Sequence, residues 1–196
     1  MMKLSISGGN SKMGSIPSVS LPPVETCRAD APCTKKCYAA RLVKRYKNVI
    51  AAYKNNLKMW EESPEVFELQ VVAAAITTRF FRWHVAGDIL NDAYFKMMCS
   101  VAKRCLGTKF LAFTKRWDIV NPLHELIPEN LQIVYSAWPG LQPDNPYDLP
   151  VAHIILKGEE PKSDWKICGG NCTECVCRGI GCWELKHGEH IAFYEH

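Results

Sequence analysis

No stretch of this 196-residue sequence approaches the ~20 consecutive apolar residues of a membrane-spanning helix. Its start, Met1-Met2-Lys3-Leu4-Ser5-Ile6-Ser7-Gly8-Gly9, lacks the continuous apolar run of a secretory signal. Both absences set the expectation of a cytoplasmic protein with no membrane partner. A Gly-rich phosphate loop, a Ser–His–Asp order and a His-Glu-x-x-His pair are also missing, which removes the common signatures of nucleotide hydrolases, serine hydrolases and zinc proteases. No internal repeat or low-complexity tract stands out. Acid is absent from residues 31–60, where Lys35, Lys36, Arg41, Lys44, Arg45, Lys47, Lys54 and Lys58 are concentrated. Such a block reads either as a solvated helix face or as a nucleic-acid contact through residues 35–58.

What the chain does have is cysteine. Of ten, three form an N-terminal knot (Cys27, Cys33, Cys37) and five a C-terminal one (Cys168, Cys172, Cys175, Cys177, Cys182). In a reducing compartment, clustered thiols point to metal ligation before disulfides. The hydrophobic content of 47% is ample for a core.

The periodicity predicts alternating strands and helices. Residues 7–26, rich in Gly, Ser and Pro, read as an extended lead-in with a short strand near 18–21. Apolar residues from Tyr38 to Trp60 recur at steps of three and four, which predicts one long amphipathic helix. Ser63-Pro64-Glu65 opens a second, to about Thr78. Residues 80–87 change to a period of two, with Phe81, Trp83 and Val85 on one face, Arg82, His84 and Ala86 on the other, and Asp88 in phase beyond. Asn91 or Asp92 caps a third helix, in which Cys99 and Cys105 take core positions. Strands at residues 109–114, 130–137 and 151–157, with a short helix at 118–126, complete the alternation. This pattern predicts an α/β fold with parallel β/α units, residues 1–157 forming a partial barrel. From Gly158 the hydrophobic pattern gives way to Gly, Cys and charge. Residues 158–196 therefore read as a cysteine-rich metal-binding extension packed on the barrel, closed by a strand at residues 190–194.

The C-terminal knot runs Cys168-Gly-Gly-Asn-Cys172-Thr-Glu-Cys175-Val-Cys177-Arg-Gly-Ile-Gly-Cys182-Trp183. Its glycines let backbone amides turn toward sulfur and stabilise thiolate charge. Cys168, Cys172, Cys175 and Cys182 make a four-ligand set, with Cys177 spare or exchanging. Structural zinc usually takes two Cys hairpins separated by a longer loop. Ligands crowded into one loop are closer to iron–sulfur proteins, which favours a [4Fe-4S] cluster. Cys27, Cys33 and Cys37 come just before a helix, whose N-terminus favours the thiolate form of Cys33 and Cys37. Three thiolates leave one cubane iron open, or join a thiol of the other knot. One shared cluster, two clusters, or one cluster with a zinc all fit the count.

The N-terminal trio ending in Cys37-Tyr38-Ala39, the stretch Phe81-Arg82-Trp83-His84-Val85-Ala86-Gly87-Asp88-Ile89, and the C-terminal knot with Cys182-Trp183 resemble one viral family. It comprises phage and giant-virus iron–sulfur proteins named for a numbered phage gene product. The resemblance covers nearly the whole chain and implies a [4Fe-4S] protein of viral origin acting in the host cytoplasm. A more distant likeness is to radical S-adenosylmethionine enzymes, which place three cysteines after the first strand of a partial β/α barrel. There Ala86-Gly87-Asp88 looks like the Gly-rich acidic segment that contacts the adenosylmethionine amino group. It departs from that pattern in its Ala and in carrying Asp for Glu, and the cysteines depart in their spacing, Cys-x5-Cys-x3-Cys instead of Cys-x3-Cys-x2-Cys.

The reading is a cytoplasmic iron–sulfur protein in electron transfer or redox sensing, its electron donor or acceptor unspecified. Gly87, Asp88 and His84 are the candidate cofactor contacts, since β/α folds gather their active groups at strand C-termini. For His84 a locally satisfied packing role is the competing reading. The rival functions are a radical S-adenosylmethionine enzyme and a zinc-stapled nucleic-acid-binding module.

Overall fold

The computed structural model describes residues 2–195. Eight strands form one open sheet in the order β1-β2-β3-β4-β5-β6-β8-β7. They are β1 (Ile6–Ser7), β2 (Ser18–Val19), β3 (Phe80–Trp83), β4 (Lys109–Thr114), β5 (Leu131–Ser136), β6 (Val151–Ile155), β7 (Lys166–Ile167) and β8 (His190–Tyr194). β1 runs antiparallel to β2, and every other neighbouring pair is parallel. The helices α1 (Tyr38–Arg45), α2 (Lys47–Glu62) and α3 (Pro64–Ala75) connect β2 to β3. Helix α4 (Asp92–Arg104) connects β3 to β4, and the short α5 (Trp117–Val120) precedes β5. The fold is a mixed α/β architecture with a mostly parallel sheet that does not close. Among the described residues no helix is long and apolar enough to cross a membrane.

Period-two alternation divides the core between the two faces of the sheet. Phe81, Trp83, Phe110, Ala112, Ile133 and Tyr135 pack against Phe67 and Val71 of α3 and Phe95 and Met98 of α4. Complete burial of a large apolar side chain stabilises by about 1.5–3 kcal/mol, so this layer anchors the fold. Leu111, Val134, Ala152 and Ile191 point the other way and meet Met13, Ile16, Trp183 and Leu185. The opposite face is thus covered by the N-terminal loop and the cysteine-rich segment. That segment also contributes β7 and β8 to the same sheet.

Two expectations about local structure are corrected. The single helix predicted from Tyr38 to Trp60 is two, because Tyr46 adopts an extended conformation (φ −115°, ψ 96°) between α1 and α2. Like-charged residues there, Arg41 with Arg45 and Lys44 with Lys47, stand three and four apart and weaken continuous helix. The predicted strand at 80–87 ends at Trp83, since His84 takes a left-handed conformation (φ 55°). That turn reverses the phase beyond it. His84 goes to the helix-covered face, and Val85 joins the cluster on the other.

Candidate metal centres

The N-terminal trio sits where β2 and β3 end. Cys27 closes a turn, its N–H donating to the Val24 carbonyl at 3.3 Å. Cys33 lies in a 3-10 turn, Pro32–Lys36. Cys37 caps α1, its Sγ accepting from the Ala40 N–H at 3.4 Å. Burial first, then the charge of Asp88, pushes the Cys27 thiol up to about 12, with Cys37 and Cys33 adding to the shift. Burial also raises Cys33, opposed by the Lys115 ammonium. Three thiols, one carboxylate and one ammonium therefore share one electrostatic neighbourhood at the C-terminal edge of the parallel strands.

Gly87 and Asp88 build that edge. Gly87 has φ +80°, and a Cβ there would stand 2.6 Å from Thr26 Oγ1 and 2.8 Å from Leu21 Cβ. Only glycine lets this loop lie flat on the one carrying Cys27. Asp88 Oδ1 accepts from Thr114 Oγ1 at 2.6 Å and from the Ile89 N–H at 2.8 Å, while Oδ2 accepts from the Lys115 N–H at 2.9 Å. The carboxyl is raised by burial, and those hydrogen bonds work against the shift. Asp88 thus ties the end of β3 to the end of β4. Lys115 Nζ donates to Ser136 Oγ at 2.8 Å, whereas Arg116 is committed to Asp118 and to the carbonyls of Ile89 and Leu90. His84 is not with this group. Its Nε2 lies 3.1 Å from the Tyr94 hydroxyl and its ring packs on Trp83, while Nδ1 has no hydrogen-bond partner, so the ring is packed locally but only half satisfied. Burial, with Arg82 adding, lowers its pKa to about 3.

The C-terminal thiols gather on the other face of the sheet. A helix absent from the sequence reading, α6 (Cys172–Cys177), is capped by Asn171 accepting from the Glu174 N–H. Cys172 and Cys175, three apart on it, share one side. Cys168 is fixed by its N–H donating to the Ala192 carbonyl at 2.9 Å, and its Sγ accepts from the Gly170 N–H at 3.4 Å. Gly181 brings the Cys182 turn back against α6, with its Cβ position 3.4 Å from Cys175 Cβ. Burial pushes Cys182 up to about 12, opposed by Arg82 and reinforced by Cys168, Cys172 and Cys175. Cys177 is exposed. Cys99 and Cys105 are buried in the helical layer, as core residues.

Both groups supply soft thiol donors in the numbers a cluster needs, so their chemistry fits thiolate ligation. Their convergence is incomplete: among the described residues no three His, Cys, Asp or Glu side chains are drawn tightly enough to hold a metal ion. The trio lies at the strand ends and the other four over the sheet face. Two surface clefts lie elsewhere. One of about 310 Å³ is lined by Lys109, Gln132, Trp183 and Glu184, and one of about 170 Å³ by Trp138, His153 and Trp165. Neither is lined by a cysteine. Arg82, which from its strand position could either neutralise cluster or carboxylate charge or pair with a surface glutamate, is the cation facing the C-terminal thiols.

These features define a mostly parallel α/β protein with two thiol groups, one at the strand ends and one on the sheet face opposite α3 and α4. The chain belongs to the gene product 88 family, whose match covers residues 3–149. It is similar to the Gene 88 protein of Mycobacterium phage D29, at 26% identity over 146 residues, 67% of this chain and 61% of that protein. The chain therefore spans less than two thirds of the length of that curated relative. No solved structure matches. Cys27, Cys33, Cys37, His84, Gly87 and Asp88 lie within the family-matched residues, and the C-terminal knot lies beyond them.

Proposed function

We propose that this phage-family protein binds a [4Fe-4S] cluster through Cys168, Cys172, Cys175 and Cys182 and acts in electron transfer or redox sensing. The observation that carries the reading is the grouping of these four thiols, close enough that Cys168, Cys172 and Cys175 each oppose ionisation of Cys182, while Cys177 faces solvent. A bound cluster supplies one-electron chemistry. The chain's own part is to shield the site with Trp183, Phe113 and Met13, to direct the amide of Gly170 at sulfur, and to oppose thiolate charge with Arg82. Purification under strict anaerobiosis, with iron, acid-labile sulfide and zinc analysis, tests the reading. Iron and sulfide in equal amounts are expected, and stoichiometric zinc without sulfide would overturn it.

A second reading, a radical S-adenosylmethionine enzyme on a partial parallel β/α barrel, is supported by the trio's position. Cys27, Cys33 and Cys37 stand at the C-terminal strand edge beside Asp88 and Lys115, and β2 to β6 follow one another in sequence order. With its carboxylate engaged by Thr114, Ile89 and Lys115, Asp88 would hold the loops around the site, and Gly87 would allow their close approach. Adenosylmethionine binding and its reductive cleavage by reduced protein are the expected outcomes; absence of both removes this reading.

The exposed cations of α1 and the first residue of α2 support nucleic acid as a partner. Arg41, Lys44, Arg45 and Lys47 join no ion pair within 4.0 Å among the described residues, unlike Lys36 and Lys58. Binding that weakens steeply with added salt is expected, and is lost when these four are changed to Glu.

A further inference from the structure

We infer that Arg82 is the built-in counter-charge of the C-terminal thiol group, which is therefore organised for an anionic, metal-bound thiolate centre. The inference deepens the iron–sulfur reading and rests on it. Arg82 lies within β3, and its side chain faces the same side of the sheet as the C-terminal cysteines. Its guanidinium carbon is 4.4 Å from the centroid of the Phe113 ring, and Nη1 lies 3.8 Å from the Met13 sulfur. Phe113 and Met13 belong to the apolar cluster that also holds Cys168, Cys172 and Cys182. Nε is shielded from solvent and has no hydrogen-bond partner. The arginine ion pairs among the described residues involve Arg28, Arg104 and Arg116; Arg82 forms none.

A guanidinium held against apolar surface without a carboxylate is unfavourable unless another anion faces it. The groups facing its charge are Tyr38, Cys172, Cys182 and Cys168. The Tyr38 hydroxyl donates to the Val85 carbonyl at 2.6 Å, which leaves the cysteines as the anionic candidates. Four neutral thiols bring no charge to balance Arg82. Four thiolates around a dipositive core leave a net dianion, and metal binding is what removes their protons. Met or Gln would fill the same space without a buried charge, so the cation needs a partner anion. Its charge also fixes a direction, because a cation beside a cluster favours the reduced form.

The test compares the anaerobically purified full chain with Arg82→Met and Arg82→Lys for metal content, loss of metal to a competing chelator, and reduction potential. Arg82→Met is expected to lose metal at least tenfold faster. Its remaining cluster should shift at least tenfold toward the oxidised form at fixed solution potential, equivalent to 59 mV for one electron. Arg82→Lys, which keeps the charge, should restore most of the potential. Should the Met variant fail to fold, Arg82→Gln replaces it, being polar and uncharged. Wild-type protein free of iron and sulfide would overturn the underlying reading. Metal-loaded wild type, with uncharged variants matching its chelator resistance and potential, would overturn the role of Arg82 alone. Zinc without sulfide would also overturn the iron–sulfur reading, and the chelator rates of the zinc-loaded variants would then decide the role of Arg82 alone.

Discussion

At the scale of single residues, His84 and Gly87 show how local conformation sets position. His84 is buried beside Tyr94 and Trp83, and its Nδ1 has no partner. Its pKa falls from the usual 6.5 to about 3, so the unfolded chain takes up a proton that the folded one refuses. Stability contributed by the neutral ring is present above about pH 6.5 and is lost as pH falls toward 3. The loss is about 1.4 kcal/mol per pH unit. Urea midpoints at pH 7 and pH 5 should differ accordingly, and His84→Phe should flatten that dependence. An unchanged slope in the variant would place the acid sensitivity elsewhere. Gly87→Ala places a methyl against Thr26 and Leu21 in a left-handed conformation. The expected cost is about 2 kcal/mol or more, read from thermal unfolding. The phase of His84 was illegible in the sequence, because period-two logic assumes that the strand continues. Histidine is enriched among the residues other than glycine at positive φ, but that enrichment alone does not mark where a strand ends.

At the scale of elements, α6 and the glycine turns beside it decide which thiols act together. Cys172→Ala and Cys175→Ala should each abolish most bound iron, whereas Cys177→Ala should leave it intact. Equal losses from all three would remove the distinction between the grouped thiols and the exposed one. Cys99→Ala, in α4, should leave iron unchanged and cost about 1 kcal/mol of stability by a small core cavity. Strands β4 and β8 were legible to the residue, since each is a short apolar run bounded by turn residues. The cap of α4 was narrowed to Asn91 or Asp92, and the structure uses Asn91. Helix α6 was not, because Gly and Cys dominate its surroundings and its six residues carry too little periodicity. The two-residue strands β1 and β7 exist through pairing with β2 and β8, not through propensity.

At the scale of the whole molecule, distant ends of the chain enclose the sheet. The Cys172 N–H donates to the Lys12 carbonyl at 2.8 Å, and Thr173 Oγ1 donates to the Met13 carbonyl at 3.2 Å. Lys36 and Glu195 form an ion pair at 3.1 Å between the trio's segment and the C-terminal end. Removal of residues 158–196 would strip β8 from β6 and uncover Leu111, Val134 and Ala152. The truncated chain should therefore aggregate, as followed by sedimentation; a monodisperse folded product would show that the remaining sheet stands alone.

The sequence alone determined the alternation of strands and helices, the core positions of Cys99 and Cys105, and the grouping of the other thiols into two knots. Those features follow from local periodicity and spacing, which neighbouring residues carry in full. Tertiary structure decided that His84 turns to the helical layer, that one knot lies at the strand ends and the other over the sheet face, and that Arg82 faces the C-terminal thiols. Each depends on which face of a shared sheet a side chain reaches, and that is settled only when segments far apart in the chain pack together.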